Sequence, residues 1–134
     1  MKIEFPYGKT HLCYDFEKVN VLTSSIEEYD PGMGEQALVD AAMAAPEGGV
    51  TLRELARDKQ KIVLIASDHT RPVPSRVIVP PMLHEIREGN PNADITILIS
   101  TGCHRETTRA ELISKFGEEI VNNEKIVVHD CDDT

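Results

Sequence analysis

Lys61-Ile62-Val63-Leu64-Ile65-Ala66-Ser67 runs without a break into Asp68-His69-Thr70-Arg71-Pro72. A short apolar run that ends in a cluster of polar groups reads as a buried strand delivering side chains to a loop. About thirty residues on, the arrangement recurs: Ala93–Ser100 reads as a strand, and Thr101-Gly102-Cys103-His104-Arg105 follows it. In an open α/β sheet, loops at the carboxyl ends of parallel strands line the ligand crevice. Paired strands lie roughly 4.8 Å apart. If these two are neighbours, Asp68, Arg71 and His104 face one substrate.

The segments on either side support a sheet with helical crossovers. Ser75–Glu88 reads as a helix with an apolar stripe of Val79, Met82, Leu83 and Ile86. Pro80 and Pro81 remove hydrogen-bond donors and are expected to kink it or delay its start to Pro80. Gly89-Asn90-Pro91 ends it. Thr108 and Glu111 form a capping box for a helix facing the core through Leu112, Ile113 and Phe116. Gly117 breaks that helix, Glu118–Asn123 forms a further turn, and Ile126–Val128 reads as a last strand. Upstream, Thr51 and Glu54 cap a short helix through Asp58, with Leu52, Leu55 and Ala56 buried. Glu35–Ala45 reads as a helix with an apolar face of Leu38, Val39, Ala42 and Met43. Lys2–Phe5 and Lys9–Tyr14 alternate apolar and polar residues around Pro6-Tyr7-Gly8, the period of a half-buried hairpin. Asn20–Thr23 is a candidate short strand. The expected fold is α/β: a Rossmann-like parallel sheet flanked by helices, preceded by an N-terminal β-hairpin.

The 134 residues suit one domain or part of a larger one, and 40% apolar content can fill a core without tryptophan. The formal net charge of −9 argues against nucleic acid and anionic membranes as partners, since both select a basic face. The N-terminus has no apolar run of signal-peptide length. The longest apolar run, Ile62–Ala66, falls far short of the roughly 20 residues that span a bilayer. A cytoplasmic location is expected. Cys13, Cys103 and Cys131 are widely spaced with no C-x-x-C, which fits reduced thiols. A parallel strand normally has helices on both faces. Nothing follows Ile126–Val128 to cover it, so the chain reads as the N-terminal α/β domain of a larger protein, cut off at its C-terminus.

The two strand exits carry the candidate chemistry. Arg71 offers a planar fork that holds a carboxylate by two hydrogen bonds, and Asp68 is placed to orient it. The competing reading is a polar loop in which Asp68 caps a turn and Arg71 is solvated. His69 and Thr70 complete that loop, and His69 also suits a backbone contact. In the second loop, Gly102 permits close backbone approach. The helix capped by Thr108 presents its positive end near His104, which disfavours imidazolium and suits a general base. The competing reading is a loop histidine bonded to a carbonyl. Thr101 and Arg105 support the same loop, and Cys103 reads as a small buried thiol rather than a nucleophile. His129-Asp130-Cys131-Asp132-Asp133 lacks a recognised ligand spacing, so no metal site is assigned. No Walker loop, G-x-G-x-x-G, H-E-x-x-H or G-x-S-x-G is present.

With Asp68-His69-Thr70-Arg71-Pro72, Gly89-Asn90-Pro91, Thr101-Gly102-Cys103-His104-Arg105 and Lys115-Phe116-Gly117-Glu118-Glu119-Ile120 in this order, the chain resembles the N-terminal domain of the nickel-dependent lactate racemase family. The resemblance runs from about residue 1 to the end. It implies a 2-hydroxyacid racemase or epimerase using a nickel-pincer nucleotide. It also implies that His104 is an acid/base residue acting on the substrate hydroxyl and that Arg71 binds the substrate carboxylate. The cofactor's attachment lysine, the nickel-binding histidine and the second acid/base histidine are implied to lie in a C-terminal part not present in this chain. The competing class is a stand-alone module that binds a carboxylate or phosphate without chemistry.

Overall fold

The computed structural model describes residues 1–22, 24–25 and 27–133. The chain divides into two compact units, Met1–Asp30 and Pro31–Thr134.

The first unit is an antiparallel hairpin of β1 (Lys2–Tyr7) and β2 (Thr10–Asp15). Lys2 pairs with Asp15 and Tyr7 with Thr10, so Gly8 and Lys9 make the turn, with Gly8 at φ 60°. β1 is therefore two residues longer than the sequence suggests and β2 is shifted by one, and Pro6 lies inside β1 opposite His11. A proline is tolerated there because a two-stranded ribbon consists only of edge strands. The expected half-burial is not found: Phe5, Leu12 and Tyr14 are exposed, and only Ile3 is partly covered. Within this unit the two strands have no second layer of their own to pack against. Phe16 sits 4.9 Å from Tyr14 and 6.2 Å from Phe5, centroid to centroid, in tilted and edge contacts. Asn20–Leu22 form no strand, with Val21 and Leu22 exposed, and Thr23 lies outside the described residues.

In the second unit the order is α1 (Glu35–Ala44), α2 (Leu52–Ala56), β3 (Lys61–Ser67), α3 (Ser75–Gly89), β4 (Asp94–Ser100), α4 (Arg109–Phe116), α5 (Glu118–Asn123) and β5 (Lys125–Val128). The strands form one parallel sheet in the order β3-β4-β5. Alternation along β4 puts Ile95, Ile97 and Ile99 on the covered face. There they join Val79, Leu83 and Ile86 of α3, Leu112 and Phe116 of α4, and Ile120 and Val121 of α5. On the opposite face Val63, Ile65 and Val127 are exposed.

Two packing details differ from expectation, in α2 and α1. Helix α3 begins at Ser75 as expected, runs through both prolines and is not delayed to Pro80. Val79, Leu83 and Ile86 form its buried stripe, and that burial outweighs the hydrogen bonds the prolines cannot make. Leu55 is 56% exposed, because in a five-residue helix only Leu52 and Ala56, four apart, share the inward face. In α1 the inward face narrows to Val39 and Met43, again four apart, and Leu38 and Ala42 stay exposed. Both capping boxes form: Thr51 with Glu54, and Thr108 with Glu111.

Gly89 explains how α2 meets α3. A Cβ at this position would lie 2.1 Å from the carbonyl oxygen of Arg53, so only glycine lets the two backbones approach. Asn90 then donates to the Lys59 carbonyl at 2.9 Å and fixes the chain entering β4. Among the described residues no helix is long and apolar enough to cross a membrane.

Candidate active site

Parallel pairing aligns Ser67 with Ser100 at the carboxyl ends of β3 and β4. The next residues, Asp68 and Thr101, leave the sheet side by side, and both are 2% exposed. The register thus puts a carboxylate and a hydroxyl at adjacent strand exits.

Asp68 organises the first loop. Its Oδ1 accepts from the Thr70 amide at 3.1 Å and the Thr70 hydroxyl at 2.7 Å. Its Oδ2 lies 2.5 Å from Nδ1 of His104. The Thr70 hydrogen bonds, aided by His104 and opposed by burial, hold the Asp68 carboxyl well below the usual carboxylate range. An ionised carboxylate only accepts, so neutral His104 carries its proton on Nδ1 and leaves Nε2 with a free lone pair. The His104 side chain is 46% exposed, so the imidazole is open to solvent. Gly102, at φ 58°, makes the turn that carries it, closed by the His104 amide on the Thr101 carbonyl at 3.0 Å.

A cavity of about 560 Å³ lies over these strand ends, lined by Asp68, Arg71, Thr101, Gly102, Cys103 and His104 among others. Sequence and structure therefore agree in bringing Arg71 and His104 to one crevice. They differ on Asp68, which was expected to orient the Arg71 fork and instead orients His104. The Arg71 guanidinium has no protein partner among the described residues. Its backbone amide donates to the Asp68 carbonyl at 3.4 Å. Cys103 is exposed rather than buried.

The other loop residues hold the scaffold. His69 turns away from the 560 Å³ cavity: its Nδ1 lies 3.1 Å from the hydroxyl of buried Thr107, and its Nε2 4.0 Å from Glu111. Arg105 forms a two-pronged pair with Glu111 at 2.9 and 2.6 Å and also donates to the Glu106 carbonyl. Those hydrogen bonds, with the Thr108 amide, hold the Glu111 carboxyl far below its usual range. Thr101 shares its hydroxyl with the carbonyl and Nδ1 of His129, at 2.8 and 2.9 Å, and so ties β4 to the chain leaving β5.

Lys115 was not singled out as a site residue. It lines a second cavity of about 290 Å³ with Arg71, His69 and Glu111, and its Nζ donates to the Arg71 carbonyl at 3.0 Å. Burial pulls its ammonium below the ordinary lysine range, partly opposed by the Asp68 charge. In sequence its visible signal was a helical i,i+4 spacing from Glu111, which suggests an ordinary surface pair. Thr107 and the Thr101–His129 contact carried no sequence signal.

The donor set does not make a nickel or pincer-nucleotide site. His69, His104 and His129 each engage Nδ1 with a different partner. Among the described residues the one group of three or more whose ligand atoms all lie within 4.8 Å of one another is Asp130, Cys131 and Asp132, all exposed. That group contains no imidazole, the ligand that suits nickel. The lysine beside Arg71 is already engaged with a carbonyl.

Residues 7–134 match the family described as the lactate racemase N-terminal domain. The chain is 48% identical over 131 residues to the lactate racemase of Thermoanaerobacterium thermosaccharolyticum, covering 96% of this chain and 31% of that protein. It is 45% identical over 130 residues to the lactate racemase of Lactiplantibacillus plantarum, covering 95% and 31%. The structure is similar to that of the lactate racemase apoprotein from T. thermosaccharolyticum, with a TM-score of 0.76 and 46% identity, over 97% of this chain and 30% of that one. The chain thus spans less than a third of the length of these relatives.

Proposed function

Because the chain belongs to the lactate racemase N-terminal domain family, we propose that it is the N-terminal part of a 2-hydroxyacid racemase and supplies one proton-transfer group and one carboxylate-binding group. The observation that carries this reading is the 2.5 Å contact between Asp68 and His104 at a cavity shared with Arg71.

Racemisation inverts a carbon that bears a hydroxyl beside a carboxylate. Arg71 presents an unengaged fork, suited to a carboxylate by two parallel hydrogen bonds. With the carboxylate held there, the neutral Nε2 of His104 takes the hydroxyl proton and returns it after inversion. A positioned acid/base of this kind typically contributes about 10²–10⁴-fold in rate. Asp68 fixes the tautomer and steadies the imidazolium formed. A nickel-pincer nucleotide, as the family resemblance implies, would be held by the C-terminal part and would supply both acceptance and return of the α-hydrogen as hydride. We place its attachment lysine, its nickel ligand and the second acid/base histidine outside this chain, in a C-terminal part of the same protein. On this reading the protein works in the cytoplasm and these 134 residues do not racemise alone.

The test is racemisation of L-lactate by the natural protein that carries this segment, followed by chiral separation of the product. Appearance of D-lactate that is lost in His104→Ala supports the reading. Binding of L-lactate without any inversion would replace it with the carboxylate-binding module.

A further inference from the structure

The segment from Arg71 to Pro74 has no regular structure, yet it carries the group assigned to the substrate carboxylate. Two short-range bonds shape it: the Val73 amide on the Arg71 carbonyl at 2.9 Å and the Ser75 amide on the Val73 carbonyl at 2.8 Å. Each spans a proline, whose fixed φ suits such tight three-residue turns. Neither proline has an amide to offer to another element. Among the described residues, one hydrogen bond reaches this segment from a distant part of the chain: Lys115 Nζ to the Arg71 carbonyl, 3.0 Å, across 44 residues.

Lys115 lies in the last turn of α4, where an ordinary lysine keeps its ammonium in water or pairs with a carboxylate. It does neither. Its i−4 neighbour Glu111 is engaged by Arg105 and by the Thr108 cap, and among the described residues no ion pair joins Lys115 to an acid. A partly desolvated ammonium with a single carbonyl partner is held by geometry rather than by charge pairing. Helix α4 also accepts from Arg76, just beyond the segment, through the carbonyls of Ile113 and Ser114 at 2.9 and 3.3 Å. The end of one packed helix thus grips the loop on both sides of Pro72 and Pro74.

We propose that Lys115 is a positioning residue for substrate binding: it fixes the Arg71 main chain and thereby the angle at which the Arg71 fork meets a 2-hydroxyacid carboxylate. This rests on the function proposed above. Lys115 does not itself touch substrate; it acts through Arg71.

The experiment uses the natural full-length holoprotein and four variants, Lys115→Met, Lys115→Arg, Arg71→Lys and Arg71→Lys/Lys115→Met. Steady-state racemisation of L-lactate and its calorimetric binding are both measured. Lys115→Met is expected to raise KM and Kd about tenfold, the scale of a lost hydrogen bond to a charged group, with kcat within about threefold. Lys115→Arg, which keeps a donor, recovers most of that loss. In an Arg71→Lys background, Lys115→Met adds little, because coupled groups are not additive. Wild-type KM and Kd in Lys115→Met, or full additivity with Arg71→Lys, overturns the proposal while leaving the racemase reading intact. If Lys115→Met does not fold, a tenfold loss of binding in Lys115→Arg with an unchanged melting temperature overturns it instead. A wild-type protein that binds L-lactate without inverting it sinks the racemase reading alone, and the Kd comparison still judges Lys115. A protein that neither inverts nor binds L-lactate overturns both.

Discussion

Asp68 Oδ2 and His104 Nδ1 meet at 2.5 Å although 36 residues separate them in sequence. The carboxylate is 2% exposed while the imidazole is open, so the pair runs from the sheet interior outward to the cavity. An amide in place of the carboxylate offers a donor as well as an acceptor and no longer enforces the tautomer with Nε2 free. Asp68→Asn is therefore expected to lower kcat of the full-length enzyme by about 10²–10⁴-fold with a smaller change in KM. Steady-state kinetics at matched cofactor content measures this, and near-normal turnover would remove the pair from the mechanism.

Arg71→Lys keeps the charge and loses the fork. KM for L-lactate is expected to rise about tenfold or more, because an ammonium cannot reproduce two parallel hydrogen bonds to one carboxylate. The same kinetics reports it. An unchanged KM would mean that the carboxylate is held elsewhere.

Acid should unfold the chain through identifiable groups. Asp68 and Glu111 both have carboxyls held below their usual range in the fold. A carboxyl depressed on folding stabilises above its unfolded pKa, about 3.9 for Asp and 4.3 for Glu. That stabilisation is lost as pH falls toward the folded value. The melting temperature should stay nearly level from pH 7 to about 5 and drop below about 4. Asp68→Asn/Glu111→Gln should flatten that acid limb. A limb of unchanged steepness in the double variant would assign the acid sensitivity to other carboxylates.

Gly89→Ala tests the close approach of α2 and α3. The added Cβ meets the backbone of Arg53 rather than a side chain that can move aside. Overpacking of this kind typically costs about 1–3 kcal/mol, to be read from urea unfolding. A loss below a few tenths of a kcal/mol would show that the helices separate easily.

The 134-residue chain on its own is expected to retain well under one nickel per molecule after purification, since no cluster of imidazoles forms among the described residues. Elemental analysis decides it. One tightly held nickel per chain would return His104 and His129 to consideration as ligands.

Much of this arrangement was legible in the residues. Strands β3 and β4 carry short runs rich in Ile, Val, Leu and Thr, and Thr108 with Glu111 writes its capping box directly into the chain. The convergence of Arg71 and His104 follows from each lying just past a parallel strand. The partner of Asp68 was not legible, because Arg71 is three residues away and His104 is reached only through the register of Ser67 on Ser100. Lys115 was hidden for a related reason: its contact is to a main-chain carbonyl, and every residue type except the donor is silent in such a bond. Exposure at Leu55 and along the hairpin escaped because alternation shows which residues share a face, not whether anything covers it.

The parallel register that sets Asp68 beside His104 also governs when the pair can form. Antiparallel neighbours zip up from a turn, but β3 and β4 can align only after the chain between them has closed into a crossover. Such long-range pairings delay folding relative to local helix formation. Helices α2 and α4 can begin from their own capping boxes while the strand exits are still far apart. The Asp68–His104 contact is then expected late in folding, and a chain with most of its helix formed still lacks that carboxylate–imidazole pair.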